Sequence, residues 1–289
     1  MQPPPAGAHP AFLLTLSCPD RIGIVADVSR FYVEYGCNIL ESAQYGDPDN
    51  GQFFLRTGFE STRGVDLETL RAAFAPIAQR YQMQAAFHDP ARKARTLILV
   101  SKLGHCLNDL LYRWRSGALP IEIAGVISNH RDFERFVESY GLPFHYIPVT
   151  RETKAAQMDK LSARIAESGA ELIVLARYMQ VLTPGICATY PGRIINIHHS
   201  FLPSFMGARP YQRAHERGVK LIGATAHYVT ADLDEGPIIE QSVERVRHNM
   251  TTADFMAVGR DVEAVVLARA VKWHAERRIL LNGLRTVIF

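Results

Sequence analysis

Charge imbalance is the first thing this chain lacks. Its 32 Lys and Arg stand against 29 Asp and Glu over 289 residues, a formal net charge of +3 with histidine neutral. The basic residues are scattered, with no long run and no interleaved aromatics. Nucleic-acid binding rests on a concentrated basic footprint, so no nucleic-acid partner is expected. Long apolar runs are missing too. No stretch approaches the ~20 apolar residues that cross a bilayer, so no membrane partner is expected. Cysteine is scarce: Cys18, Cys37, Cys106 and Cys187 form no CxxC pair and show no zinc-ligand spacing to a histidine. They read as reduced thiols of a cytoplasmic protein, and no metal site is expected. The start, Met1 to Pro10, has neither the basic nor the apolar part of a signal peptide and reads as a disordered lead-in. Beyond it there is no low-complexity segment and no internal repeat.

What is present is an ordinary apolar share, 47%, in a pattern that changes along the chain. The length suits two domains better than one. The first spans residues 11–89. Phe12 to Leu16 reads as a strand, and Ser17 to Arg21 as a turn. Ile22, Val25, Val28 and Phe31–Tyr32 then show helical spacing up to Gly36, a natural cap. Cys37 to Tyr45 and Gln52 to Glu60 are strands joined by a Gly/Asp/Pro/Asn turn. Leu67 to Tyr81 is a second helix and Gln84 to His88 a closing strand. The order βαββαβ is the ferredoxin-like arrangement. Asp89 to Arg95 is a short polar linker and the best boundary.

The second domain, residues 95–289, alternates strand and helix. Strands are expected at Thr96–Ser101, Ile121–Ser128, Phe144–Ile147, Leu172–Ala176 and Arg193–Ile197, with helices between them. This is the signature of an open, mostly parallel α/β sheet. Two more strands, Gly223–Thr230 and Pro237–Val246, flank an acidic turn. A long helix follows from Thr251 to about Arg277, and Leu280 to Phe289 reads as a terminal strand or tail.

Ligands in such sheets bind beyond the carboxyl ends of the strands, and Asn196 and His198 lie at one such end. Their spacing puts both on one strand face, with Ile195 and Ile197 on the other. Asp234 follows in the acidic turn. An amide, an imidazole and a carboxylate in one cleft can hold a developing oxyanion and move a proton. Around them, His227 sits on an expected strand and reads as a core histidine. His199 is either a catalytic aid or loop packing, and stays outside the catalytic set. Asp232 and Glu235 read as solvated turn residues, and Gly236 and Pro237 as shaping the turn.

Two resemblances follow. The block Cys18-Pro19-Asp20-Arg21-Ile22-Gly23-Ile24-Val25, with Gly36-Cys37-Asn38-Ile39, resembles the ACT domain, a small-molecule-sensing module. That implies an amino-acid effector near Asp20, Arg21, Ile22, Gly23 and Asn38. It also implies side-by-side sheets in a homo-oligomer, a dimer or tetramer. The blocks Asn196-Ile197-His198, Ser200-Phe201-Leu202-Pro203, Gly207, His227-Tyr228-Val229 and Leu233-Asp234-Glu235-Gly236-Pro237 resemble the folate-dependent formyltransferase family. That resemblance implies an open α/β sheet, catalysis by Asn196, His198 and Asp234, and no cofactor. It also implies folate contacts from Arg177, Met179, Gln180, Val181, Leu182, His227 and Thr230.

The acceptor of the formyl group divides that family. Ser101 to Asp109 carries bulky Leu103, His105 and Cys106 where a small-residue phosphate loop would sit in members that formylate a ribonucleotide. The chain is also expected to lack the added C-terminal domain of members acting on tRNA. The blocks Ala208 to Ala214, Arg217 to Tyr228 and Gly259 to Glu263 look like the branch that uses water. The implied reaction turns 10-formyltetrahydrofolate into formate and tetrahydrofolate, balancing one-carbon folate pools and feeding purine synthesis. A transferase to an amine acceptor and a regulatory binding protein without catalysis are the rival readings.

Overall fold

Alternating apolar residues from Ala11 onward begin the first sheet of the computed structural model, which describes residues 9–202 and 210–289. The elements are β1 (Ala11–Pro19), α1 (Ile24–Glu34), β2 (Cys37–Asp47), β3 (Gln52–Ser61), α2 (Leu67–Tyr81) and β4 (Gln84–His88). The sheet order β2-β3-β1-β4 is antiparallel throughout, as the ferredoxin-like reading requires. Leu14, Leu16, Phe31, Tyr32, Phe59, Phe74 and Phe87 form its core.

Two details differ from the sequence reading. β1 runs on to Pro19, past Leu16, because its last residues pair only with β3: β4 stops at Ser17. Proline, with no N–H to donate, is tolerated there. The helix begins at Ile24, since Gly23 takes a left-handed φ of 100°. The buried stripe is therefore Ile24, Val28, Phe31 and Tyr32, while Ile22 points fully outward.

The remaining elements are β5 (Ala94–Val100), α3 (His105–Arg115), β6 (Ile121–Ser128), α4 (Glu134–Glu138), β7 (Phe144–Tyr146), α5 (Lys154–Ser168), β8 (Leu172–Leu175), α6 (Pro184–Thr189), β9 (Ile194–His198), α7 (Pro210–Glu216), β10 (Leu221–Tyr228), β11 (Ile238–Arg245), α8 (Thr252–Ala275), β12 (Ile279–Asn282) and β13 (Arg285–Ile288). β5 to β11 form one seven-stranded sheet in the order β11-β10-β9-β8-β5-β6-β7. The five strands from β7 to β9 are parallel, and β10 and β11 add antiparallel at one edge. Strands buried on both faces explain the near-continuous apolar runs of β5 and β8. α8 opens on a capping box, with the Thr251 hydroxyl and the Asp254 carboxylate each bonded to the other's backbone N–H. The helix α7 had no counterpart in the sequence reading.

The chain divides into two compact units: Met1–Arg92 with Arg277–Asn282 and Val287–Phe289, and Lys93–Glu276 with Gly283–Thr286. Near the C-terminus, Gly283–Thr286 group with the second unit, and Arg277–Asn282 and Val287–Phe289 with the first. Their anchor is Asn282, buried, whose side chain donates to Asp47 Oδ2 at 2.6 Å and accepts from Asn50 Nδ2 at 2.6 Å. Met1 to Ala8, and Pro203 to Arg209 from the quoted sequence blocks, lie outside the described residues.

Candidate active site

The sheet changes winding direction between β5 and β8: from β5 the chain moves to β6 and β7, then returns to β8 and β9 on the other side. A crevice opens at such a point. Ser101, just past β5, ties it together: its hydroxyl donates to Asn129 Oδ1 at 2.7 Å and accepts from the Met179 N–H at 2.9 Å. Beyond it lies a cavity of about 750 Å3. All ten candidate catalytic and folate-contact residues line it: Asn196, His198, Asp234, Arg177, Met179, Gln180, Val181, Leu182, His227 and Thr230.

On β9 the alternation holds, with Ile195 and Ile197 buried on the face away from Asn196 and His198. β10 runs antiparallel beside it and sets His227 opposite Asn196. A register shift in the β10–β11 pairing falls at Ala226/His227, where a bulge re-aims the strand. The turn after β10 then brings Asp234 back. It closes tightly, since a Cβ at Gly236 would stand 1.8 Å from the Tyr228 carbonyl oxygen. Asp234 itself sits at φ 58° and Arg177 at φ 64°, two of four described non-glycine residues in the left-handed region. Such strain costs roughly 1–3 kcal/mol a residue and persists where the surroundings hold it.

Asp234 Oδ2 is 3.1 Å from His198 Nδ1, and Oδ1 is 3.5 Å from His227 Nε2. The His198 contact first, then His227, holds the Asp234 carboxyl well below the usual carboxylate range. An ionised carboxylate only accepts, so His198 Nδ1 carries the proton. His198 Nε2 is buried and has no hydrogen-bond partner among the described residues. It accepts in the neutral ring and donates in the charged one. His227 Nδ1 lies 2.9 Å from the Tyr228 carbonyl oxygen and so donates to it. Its Nε2 lies 3.2 Å from Asn196 Nδ2 and 3.5 Å from Asp234 Oδ1, so it accepts from the amide in the neutral ring and donates to the carboxylate in the charged one.

A second polar wall escaped the sequence reading. Glu263, 1% exposed, accepts from the Tyr211 hydroxyl at 2.5 Å and from His105 Nε2 at 2.8 Å. Arg177 Nε stands 3.3 Å from the same carboxylate, an ion pair without hydrogen-bond alignment. Arg177 Nη1 donates to His199 Nδ1 at 2.6 Å. Burial pushes the Glu263 carboxyl up, yet His105, Arg177 and Tyr211 together bring it below its ordinary value. Burial and Glu263 drive the Tyr211 hydroxyl up. Tyr211 gets this close because Gly259 has no side chain: a Cβ there would meet its ring at 2.2 Å. The signal was legible in retrospect, as Glu263 is a carboxylate on the buried stripe of α8, beside Gly259, Val262, Val266 and Leu267.

His105, Cys106 and Glu263 bring one nitrogen, one sulfur and one oxygen within 4.8 Å of one another. That set suits a cation poorly. Glu263 is already engaged by three donors, and burial, then the Glu263 charge, raises the Cys106 thiol well above its ordinary value.

The sequence-predicted effector residues fall in the first unit. The Asp20 N–H bonds the Gly51 carbonyl, Arg21 reaches Gln82, Asn38 reaches Glu60, and Ile22 and Gly23 form the entry to α1.

Comparison with known proteins agrees with this geometry. Residues 94–271 match the family described as formyl transferase. A formyltetrahydrofolate deformylase of Corynebacterium sp. (strain P-1) is 50% identical over 277 residues, 96% of this chain and 97% of that protein. The protein of that name from Bacillus subtilis is 49% identical over 279 residues, 96% and 93% of the two chains. The crystal structure of the Burkholderia mallei formyltetrahydrofolate deformylase superposes with a TM-score of 0.93 at 52% identity, covering 98% of this chain and 100% of that one. With an open, mostly parallel sheet, a strand-end cavity and relatives matched along nearly their whole length, this chain is a formyl transferase family member, and an enzyme of its formyltetrahydrofolate deformylase group.

Proposed function

We propose that the chain hydrolyses 10-formyltetrahydrofolate to formate and tetrahydrofolate, as the names of its relatives suggest. The observation that carries the reading is His198: buried, tied to Asp234 through Nδ1, with Nε2 unpartnered among the described residues, and lining one cavity with Asn196 and Asp234.

The chemistry follows from those groups. A formyl amide is a poor electrophile, and donors fixed in advance at its oxygen supply much of the rate. Water adds to the formyl carbon, and the carbonyl π electrons pass to oxygen. The Asn196 N–H and the charged form of His198 hold that oxyanion, with the Asp234 carboxylate supporting the charge. Asp234 manages the proton of the attacking water and its delivery, through water, to the leaving N10. The C–N bond breaks, the oxyanion electrons re-form the carbonyl, and formate and tetrahydrofolate leave. Neither a covalent nucleophile nor a cofactor is needed. The ring of the folate is held by the 177–182 segment, whose Met179 and Val181 are both more than half exposed, with His227 and Thr230 on the facing wall.

In this reading residues 95–289 are the catalytic domain and residues 11–89 an ACT-like assembly and regulatory domain. The latter takes an amino-acid effector at Asp20 to Gly23 and Asn38 and pairs with further copies as a dimer or tetramer. The setting is the cytoplasm, where the formate feeds purine biosynthesis and the reaction balances one-carbon folate pools. Four free thiols fit that compartment, and no helix among the described residues is long and apolar enough to cross a membrane.

The test is formate release from 10-formyltetrahydrofolate with no added amine. Enzyme-dependent release, abolished in His198→Ala, supports the hydrolase. Turnover only with an added amine supports a transferase, and folate binding without turnover supports a regulatory role.

A further inference from the structure

His198 and His199 are adjacent in sequence, and their rings stack with centroids 4.9 Å apart and an interplanar angle of 18°. Two charged imidazoles at that distance would repel each other. The reading above needs the charge on His198, so something must keep it off His199.

Among the described residues, the charged or titratable groups facing His199 are these. Arg177, after β8, donates to its Nδ1. His198, on β9, stacks on it. Tyr211, on α7, lies 6.3 Å away between ring centroids. Glu263, on α8, acts from behind Arg177, and Asp234 from behind His198. His105, on α3, reaches the cluster only through Glu263. Among the described residues, Arg177 is the one that hydrogen-bonds the ring's edge. A guanidinium has donors and no acceptor, so the nitrogen it meets must be bare. His199 therefore presents Nδ1 as an acceptor and carries its one proton on Nε2. Arg177 is in turn held in place by Glu263 and by its own left-handed backbone.

We propose that Arg177 and Glu263 are positioning residues that hold His199 as a neutral, Nε2-protonated imidazole against His198, so that the stacked pair carries its charge on His198 alone. The inference rests on the hydrolytic reading for its purpose, but not for its geometry. The electrostatics run the same way: burial, then Arg177, then His198 pull His199 down to about 4. It also gives Arg177 a different task from folate contact. Its guanidinium points into the protein wall, toward His199 and Glu263.

The first measurement needs no variant. In protein labelled with 15N-histidine, the His199 resonances should show a bare Nδ1 and a protonated Nε2 at pH 7, and the ring should stay neutral to pH 5. A His199 that titrates near 6.5, or one with the proton on Nδ1, overturns the proposal. This readout stands whether or not the protein releases formate, so it separates failure of the proposal from failure of the hydrolytic reading.

The second measurement uses Arg177→Met, which removes the donor and leaves Glu263 to draw a proton onto His199. His199 should titrate at a higher pH than in the wild type, with burial still holding it below an exposed histidine. Formate release should lose about tenfold or more in kcat with KM for the folate within about twofold, the pattern of an interaction made only in the transition state. Arg177→Lys should restore the neutral ring and part of kcat. A raised KM with kcat intact would make Arg177 a folate contact and overturn the proposal. A His199 titration unmoved in Arg177→Met would show that burial alone suffices, and overturn it too.

Discussion

Asp234 sits on a loop, in a left-handed turn, with two histidines as partners. Glu263 sits near the middle of a 24-residue helix, almost wholly buried, with an arginine, a tyrosine and a histidine around it. Both carboxylates line one cavity, and both are held ionised. The difference lies in what faces them. Asp234 answers to imidazoles, which gain and lose protons near neutral pH. Glu263 answers to an imidazole too, His105, and then to the Arg177 guanidinium, which keeps its charge. One wall therefore has imidazole partners alone, while the other adds a fixed cation and a hydroxyl.

The comparison predicts opposite phenotypes. Asp234→Asn should fold with an unchanged circular-dichroism spectrum and lose about 10^3 in formate turnover, the scale of a lost electrostatic contact to a reacting group. A near-wild-type rate would remove Asp234 from the mechanism. Glu263→Ala should do the reverse and strike stability first, because it strands the Arg177 cation in the protein. Breaking a buried pair on one side costs about 3–5 kcal/mol, readable as a lower urea midpoint. An unchanged midpoint would mean that Arg177 finds water or another acceptor. Gly259→Ala sharpens the contrast at smaller cost. The new methyl meets the Tyr211 ring and should push that hydroxyl off Glu263 for about 1–3 kcal/mol, again seen in the urea midpoint.

A further contrast concerns pH. His199 and His88 are both pulled from 6.5 down to about 4, each chiefly by burial. The folded state then binds fewer protons than the unfolded state between those values. Stability is full above pH 6.5 and falls as pH drops toward 4, by at most about 1.4 kcal/mol per pH unit for each histidine. The melting temperature should decline across that window. His88→Gln should shed one share of the slope and leave the share of His199; a slope unchanged by that substitution would relieve His88 of its part.

Period-two alternation in β9 already separated Ile195 and Ile197 from Asn196 and His198, because a strand forces neighbours to opposite faces. The same local logic made the βαβ repeat and the tight turn before Pro237 legible. It failed where the backbone departs from the regular path. Counting from Ile22 gave the wrong stripe for α1, since a left-handed Gly23 resets the helix before its first turn. The terminal tail proved to be two short strands, anchored through Asn282 to a turn more than two hundred residues earlier in the chain, a distance no local pattern spans.

The amino-acid sequence thus determined the sheet and the strand end carrying Asn196 and His198, because both depend on short-range periodicity and turn chemistry, while Asp234 was marked by the family resemblance. Only the tertiary structure decided the second wall. Arg177, His199, Tyr211 and Glu263 come from four separate segments, and their meaning depends on which donor faces which acceptor at 2.5–3.3 Å. A carboxylate on the buried stripe of a helix can be noticed in a sequence. What neutralises it is settled by packing, since a buried charge persists only where a partner from elsewhere in the chain is brought against it.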